Sequence, residues 1–253
     1  MSRLKAVLFD IDDTLYSTTG FARSARRNAV RAMVQTGIRL PEEDVASELD
    51  EVIREFGSNF EQHYDKLLMR LPRETWSGVN PALIVAAGVV AYHDTKFQEL
   101  HPFPDVKPLL SGLRGAGLRT GIVTHGLTVK QAEKLVRLRI LPYLDPEAIF
   151  ISDQVGISKP NPKRYALALR SMRLAAVETM YAGDNLAHDV QPPKSLGMIS
   201  VWARRAAKPD QEVTKIVPDH AIDDFRELAA VLRENYAVPL VELVVFAHVT
   251  DAT

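Results

Sequence analysis

Ala6-Val7-Leu8-Phe9-Asp10-Ile11-Asp12-Asp13-Thr14-Leu15 reads as a short apolar strand ending in two aspartates one residue apart. Apolar residues in such a run can be buried on both faces of a parallel strand, and parallel strands deliver their polar groups to the crevice at their carboxyl ends. Asp10 stands at that edge. If the backbone turns directly after the strand, Asp10 and Asp12 can point into one pocket, one carboxylate as nucleophile and the other as general acid and base. Taken alone, Asp12 or Asp13 could equally cap a turn or a helix.

Outward from this strand, the pattern is helical for a long stretch. The spacing predicts a helix over Gly20 to Gln35, with Thr18 or Thr19 as N-cap and with Arg23, Arg26, Arg27 and Arg31 along it. A second helix opens at Pro41, carries Glu42, Glu43 and Asp44 in its first turn, where they suit the helix dipole, and stops at Gly57. A third covers Asn59 to Leu71, and a fourth, capped by Asn80, runs from Pro81 to about Leu100. With no strand among them, these helices are expected to form a four-helix unit inserted after the first strand.

From His101 onward helix and strand alternate. The predicted elements are a helix over Asp105 to Arg114, a strand over Leu118 to Thr124, a helix over Thr128 to Leu138 and a strand over Ala148 to Ser152. A helix after Pro162, a strand over Thr179 to Ala182, a short helix near Lys194, a strand over Ile199 to Trp202 and a helix over Ile222 to Glu234 follow. That alternation argues for an α/β fold built on a doubly wound parallel sheet. The apolar tail Val238 to Phe246 reads either as an edge strand or as a subunit contact.

Bulk properties narrow the function. With 253 residues, 46% hydrophobic and 25% charged, the chain is an ordinary globular protein large enough for one major core and a smaller second unit. Lys+Arg 31 against Asp+Glu 32 gives no electrostatic case for a nucleic-acid or anionic-membrane partner. Without cysteine there is no disulfide, thiolate catalysis or cysteine-held metal, which fits a cytoplasmic location. Met1 to Lys5 leads into the first strand with no signal-peptide pattern, and no apolar run reaches membrane-spanning length.

Three more segments place polar groups where strands or turns end. Thr124-His125-Gly126 offers a hydroxyl and backbone amides suited to a phosphoryl oxygen, although taken alone the segment reads better as a helix-capping Thr followed by a turn Gly. Ser158-Lys159-Pro160-Asn161-Pro162 holds a lysine in an extended turn, since the residue before proline is pushed out of helical conformation; an isolated lysine there would be a solvated surface charge. Thr179-Met180-Tyr181-Ala182-Gly183-Asp184-Asn185-Leu186-Ala187-His188-Asp189 repeats the first pattern, a buried strand ending in one carboxylate with a second soon after, and these two could again be loop caps.

The ordered set Asp-x-Asp, Thr, Lys-Pro and Gly-Asp-x-x-x-x-Asp resembles the haloacid dehalogenase (HAD) superfamily of hydrolases, in the branch with a helical cap after the first strand. Within it the chain is similar to the archaeal-type phosphatases, for which Val129 to Leu135 and Gly156 to Pro160 also look familiar. The resemblance implies a HAD-like Rossmannoid core at 1–15 and 98–253 with a cap domain at 16–97. It implies that Asp10 attacks phosphorus to give an aspartyl-phosphate and that Asp12 protonates the leaving oxygen and later deprotonates water. Thr124 and Lys159 would hold the phosphoryl oxygens. Asp184 would bind Mg²⁺ together with the Asp10 carboxylate and the Asp12 backbone carbonyl, with Asp189 and Asn185 supporting from behind. Physical chemistry agrees, because carboxylates crowded in one crevice repel by about 4 kcal/mol per close pair and need cations to stay ionised. All-oxygen ligation suits Mg²⁺ better than Zn²⁺.

Asp12 also separates phosphatases from the halide-displacing members of the family, which lack an aspartate two residues after the nucleophile because halide needs no proton. The expected activity is hydrolysis of a small phosphorylated metabolite by a monomer or homodimer, with no nucleic acid or membrane involved. Alternatives are a phosphomutase of the same superfamily and, from other classes, a phospho-receiver or a non-catalytic binding module. Substrate choice is expected from the cap and the chain entering it, with Tyr16, Phe21, Arg23 and Arg27 as candidates, and from His125, which stands where asparagine is common in the family. Asp13 reads as a turn residue. Gln191-Pro192-Pro193-Lys194, replacing a usual small-residue helix start, is expected to stiffen the loop behind Asp189.

Overall fold

The structure, a computed structural model, describes residues 4–208 and 215–240. Its contacts divide the chain into two units, one made of the segment through Thr18 and the chain from His101 onward, the other of Thr19–Leu100.

In the first unit, β1 (Ala6–Phe9), β2 (Arg119–Thr124), β3 (Ile149–Ile151), β4 (Thr179–Gly183), β5 (Ile199–Ala203) and β6 (His220–Ile222) form one sheet in the order β3-β2-β1-β4-β5-β6. Every neighbouring pair is parallel. The short apolar run of β1 is buried along its whole length because it lies mid-sheet with both faces covered. Ala6 and Leu8 face Tyr165, Leu169 and Met172 of α8 (Lys163–Met172). Phe9 points the other way and meets Phe225 of α10 (Phe225–Tyr236) edge-on, ring centroids 5.8 Å apart. Fully burying side chains of this size contributes about 1.5–3 kcal/mol each.

The strand order reverses beside β1, between it and β4, which opens a crevice at the carboxyl edge. Phe9 pairs with Ile122 on one side and Ala182 on the other. Asp10 therefore leaves the sheet level with Val123 and Gly183, one step from Thr124 and Asp184.

The second unit contains α1 (Thr18–Thr36, whose first residue belongs to the first unit), α2 (Glu42–Phe56), α3 (His63–Arg70) and α4 (Pro81–Glu99). Its core gathers Val30, Met33, Val45, Leu49, Leu67, Trp76 and Ile84. Asn80 caps α4, its side-chain oxygen accepting the Ala82 N–H at 3.0 Å. No described helix is long and apolar enough to cross a membrane.

Most predicted elements agree with the structure to within a residue or two at their ends. The third helix is shorter than Asn59 to Leu71: Phe60 stacks on Phe56 and His63 Nε2 lies 2.9 Å from the Gly57 carbonyl, which holds the preceding residues in a loop. A 3₁₀ turn at Arg73–Trp76 follows it. The last helix begins at Phe225 instead of Ile222, because Ile222 belongs to β6 and Asp224 accepts the N–H groups of Arg226 and Glu227 as N-cap. In the apolar tail Val238 and Leu240 are buried, and 241–253 lie outside the described residues.

Candidate active site

Asp10 follows β1 and is tied to β4 through its N–H, which donates to the Ala182 carbonyl at 2.9 Å. The Lys159 ammonium lies 3.0 Å from Asp10 Oδ1 and 2.5 Å from Asp189 Oδ1. Only 3% of the Lys159 side chain is exposed, so the reading of this lysine as a surface charge is set aside. Its position comes from the turn before α8, where the Lys159–Pro160 peptide is cis.

Asp189 is reached through a one-turn π-helix, Leu186–Val190. Asn185, not Asp184 or Asp189, caps that turn, accepting the N–H groups of Ala187 and His188 at 3.1 and 3.0 Å. Asp189 Oδ2 accepts the Asn185 N–H at 3.1 Å, and the Tyr181 hydroxyl lies 3.3 Å from Oδ1. This close return depends on Gly183: a Cβ there would stand 2.5 Å from Cβ and Cγ of Asp189. The prolines that follow sit buried in the first turn of α9 (Gln191–Ser195), directly behind the π-helical turn.

Asp10, Asp184 and Asp189 each offer a carboxylate oxygen within 4.8 Å of the others. Burial pushes the Asp10 carboxyl up to about 6; Lys159 opposes this, and Asp189 and Asp12 add to it. Burial, then Asp189, Asp10 and Asp13, push Asp184 up to about 8. The Lys159 ammonium is disfavoured by burial, but Asp10 and Asp189 outweigh that and hold it well above the ordinary lysine range. Asp10 Oδ1 is buried, with the Lys159 ammonium as its ion-pair partner. An all-oxygen cluster of three carboxylates, with Asp10 and Asp184 raised first by burial and then by the neighbouring carboxylates, fits a hard divalent cation.

Asp12 faces a different set of groups. Its Oδ1 accepts from the Tyr16 hydroxyl at 2.8 Å and the Thr18 hydroxyl at 2.7 Å, and its Oδ2 from Gln131 Nε2 at 3.0 Å. The Lys134 ammonium bridges both oxygens at 2.6 and 2.8 Å. Burial alone would raise this carboxyl, but the Lys134 charge, with the Lys134, Thr18 and Gln131 hydrogen bonds, holds it below the ordinary aspartate range. Gln131 and Lys134 share one face of α6 (Thr128–Leu138). They were legible only as part of the Val129 to Leu135 resemblance, since a polar pair on an amphipathic helix otherwise reads as solvated surface. Gly126 has φ of 142°, and a Cβ there would fall 2.5 Å from Gln131 Nε2.

Thr124 is fully buried at the end of β2, with its hydroxyl 3.5 Å from Gln131 Oε1. The backbone amides expected to be open in this loop are partly engaged: the Gly126 N–H donates to Ser152 Oγ at 2.9 Å and the Thr128 N–H to Asp153 at 3.0 Å. They are drawn away because the segment after β3 packs against the start of α6. His125 is exposed, with Nδ1 2.9 Å from Ser158 Oγ; burial, then Arg164 and Lys159, lower its affinity for a proton. Tyr16 joins the site through Asp12. Phe21 packs edge-on against Tyr92 within the helical unit, and Arg23 and Arg27 are exposed on α1. Asp13 takes a positive φ of 51° in the turn and donates its N–H to Thr18 Oγ1 at 3.3 Å.

Residues 4–197 match the model of the haloacid dehalogenase-like hydrolases. The chain belongs to that family. It groups with archaeal phosphatases of the HAD superfamily, being 46% identical over 236 residues to the glyceraldehyde 3-phosphate phosphatase of Methanopyrus kandleri, a match covering 91% of this chain and 98% of the relative. The enzyme of the same name from Pyrococcus furiosus is 40% identical over 238 residues, covering 93% of this chain and 96% of the relative. Among solved structures, a HAD phosphatase from Thermococcus onnurineus aligns with a TM-score of 0.63 at 24% identity, covering 90% of this chain and 98% of that one, which shows a shared fold.

Proposed function

We propose that this HAD-family hydrolase is a Mg²⁺-dependent phosphoric monoester hydrolase that acts through an aspartyl-phosphate and takes glyceraldehyde 3-phosphate as substrate. The observation that carries the reading is the division of labour between two aspartates one residue apart. Asp10 lies in the buried carboxylate cluster beside Lys159, while Asp12 is held apart by Lys134, Gln131, Tyr16 and Thr18.

In the first step the Asp10 carboxylate attacks phosphorus, an oxygen–phosphorus bond forms, and the bond to the substrate oxygen breaks as Asp12 gives that oxygen a proton. In the second, water attacks phosphorus, Asp12 takes its proton, and the bond to Asp10 breaks to release phosphate. The donors around Asp12 suit its carboxylate form, the form that receives the proton from water, and the proton so gained is the one given to the leaving oxygen of the next substrate. Thr124 and Lys159 hold the phosphoryl oxygens, and Asp189 fixes the lysine. Asp10, Asp184 and the Asp12 backbone carbonyl would hold Mg²⁺, whose charge lets the carboxylates and the phosphoryl group share one crevice. The names of the two archaeal relatives support the choice of substrate.

The test is release of inorganic phosphate from glyceraldehyde 3-phosphate by the purified protein with Mg²⁺, then with EDTA, and by Asp10→Asn. Turnover should require the ion and disappear in the variant, which should remain folded. Substantial activity in folded Asp10→Asn would overturn the nucleophile. Activity on other small phosphate esters with none on glyceraldehyde 3-phosphate would overturn the substrate.

A further inference from the structure

Arg164, in the first turn of α8, is fully buried, and among the described residues no carboxylate forms an ion pair with it. Removing a guanidinium from water without a counter-ion is costly, so such a residue needs a compensating set of hydrogen bonds. Arg164 finds them on main-chain oxygens of three separate segments. One Nη donates to the carbonyls of Thr124, at the end of β2, and of Phe150, in β3, the latter at 2.7 Å. The other Nη donates to the carbonyl of Ile157 at 3.2 Å. Nε is buried and makes no hydrogen bond.

Two of those segments carry the groups assigned above to the phosphoryl oxygens. Thr124 is one of them, and Ile157 stands two residues before Lys159. A guanidinium is a rigid planar fork, so bonding both segments from one plane fixes their separation, which the round ammonium of a lysine cannot do. Loops spanning the carboxyl ends of β2 and β3 would otherwise keep independent freedom, and a phosphoryl clamp built on them would not be preorganised. The charge also lies close enough to Asp10 and Asp189 to act on both.

We propose that Arg164 is a positioning residue for phosphate binding, a buried fork that sets the distance between Thr124 and Lys159. The proposal rests on the assignment of those two residues to the phosphoryl group, but its test needs no turnover.

The measurement is calorimetric titration of inorganic phosphate, with Mg²⁺ present, into the wild-type protein, Arg164→Ala and Arg164→Lys, each checked for folding by circular dichroism. Phosphate affinity should fall about tenfold or more in Arg164→Ala, the scale expected when binding groups shift by a fraction of an ångström to an ångström. It should stay well below wild type in Arg164→Lys, which keeps the charge but not the fork. Adding 20–50 mM guanidinium chloride, a plug for the vacated space, should restore much of the affinity to Arg164→Ala and none to the wild type, with sodium chloride at equal ionic strength as control (concentrations on the order of those that leave folded proteins intact). If Arg164→Ala does not fold, Arg164→Gln, which keeps part of the volume and an amide donor, is read the same way.

Wild-type phosphate affinity in either folded variant would overturn the proposal, as would full recovery in Arg164→Lys. Guanidinium that raises the melting temperature of the variant without restoring phosphate affinity would also overturn it, reducing Arg164 to a structural brace. A wild-type protein that binds phosphate but hydrolyses no ester would count against the phosphatase reading while leaving the Arg164 comparison intact.

Discussion

Asp184→Asn, studied in protein stripped of divalent ions, should make the protein more stable at pH 8 and leave it unchanged at pH 4. The Asp184 carboxyl titrates at about 8 in the fold against 3.8 when unfolded, pushed up by burial and by Asp189, Asp10 and Asp13. Between those values the native state holds a proton that the unfolded chain has lost, so stability falls as pH rises through the window and the full cost is present above it. At about 1.4 kcal/mol per pH unit the ceiling is about 6 kcal/mol. Solvent reaching this partly exposed carboxylate brings the expected cost to about 2–4 kcal/mol. Asp10 adds its own decline between 3.8 and about 6 in both proteins. Lys159, whose folded value lies above the ordinary range, contributes its stabilisation in full below pH 10 and adds no slope here. Urea melts at half-unit steps from pH 4 to 8 would show the wild-type curve falling away from that of Asp184→Asn from just above pH 4, with the gap widening up to pH 8. Saturating Mg²⁺ should close the gap by stabilising the wild type, by about 2.7 kcal/mol at a hundred times Kd, and should do little for the variant. Parallel curves across the range, with the same response to Mg²⁺, would refute the reading of the cluster.

Asp12→Asn should lower kcat about 10² to 10⁴-fold on an alkyl phosphate and much less on an aryl phosphate whose leaving group needs no proton; equal losses in stopped-flow assays would count against Asp12 as the acid. Lys134→Met should cost about 1–3 kcal/mol at pH 7, because a carboxyl held below its unfolded value contributes stability above about pH 4 and loses it as pH falls through the folded value. In melts repeated toward pH 2 that deficit should vanish. Gly183→Ala should cost about 1–3 kcal/mol of overpacking and lower activity as well, since the new methyl displaces Asp189 from Lys159; a drop in melting temperature with unchanged kcat/KM would contradict the link.

How far the sequence could be read depended on distance along the chain. β1, β2, β4 and β5 are buried apolar runs ending in polar groups, so both their positions and the residues at their ends were legible. β6 has three residues, too few for any periodicity, and the sequence pattern merged Ile222 with the helix beyond it. Asp10, Asp12, Thr124 and Lys159, proposed above as catalytic, stand out in the sequence because Asp10 and Asp12 follow a buried apolar strand, Thr124 ends another and Lys159 precedes a proline. Gln131, Lys134 and Arg164 were not recognised, for a common reason: each is a long polar side chain on a helix, and only the fold reveals that it points inward. Of the backbone amides offered by Thr124-His125-Gly126, that of Gly126 is claimed by Ser152, distant in sequence.

The central place of β1 also bears on how the chain is made. Phe9 pairs with Ile122 and Ala182, partners 113 and 173 residues later. At a synthesis rate of about 5–20 residues per second, the first strand waits about 6–23 s for one neighbour and about 9–35 s for the other. During that interval Ala6-Val7-Leu8-Phe9 leaves the ribosome as an apolar strand with both edges bare, while the helices of Thr19–Leu100, whose contacts are nearer in sequence, can already assemble. Asp10, which follows this strand, is thus not enclosed until β4 has emerged, and before that the nascent chain is most open to misassociation.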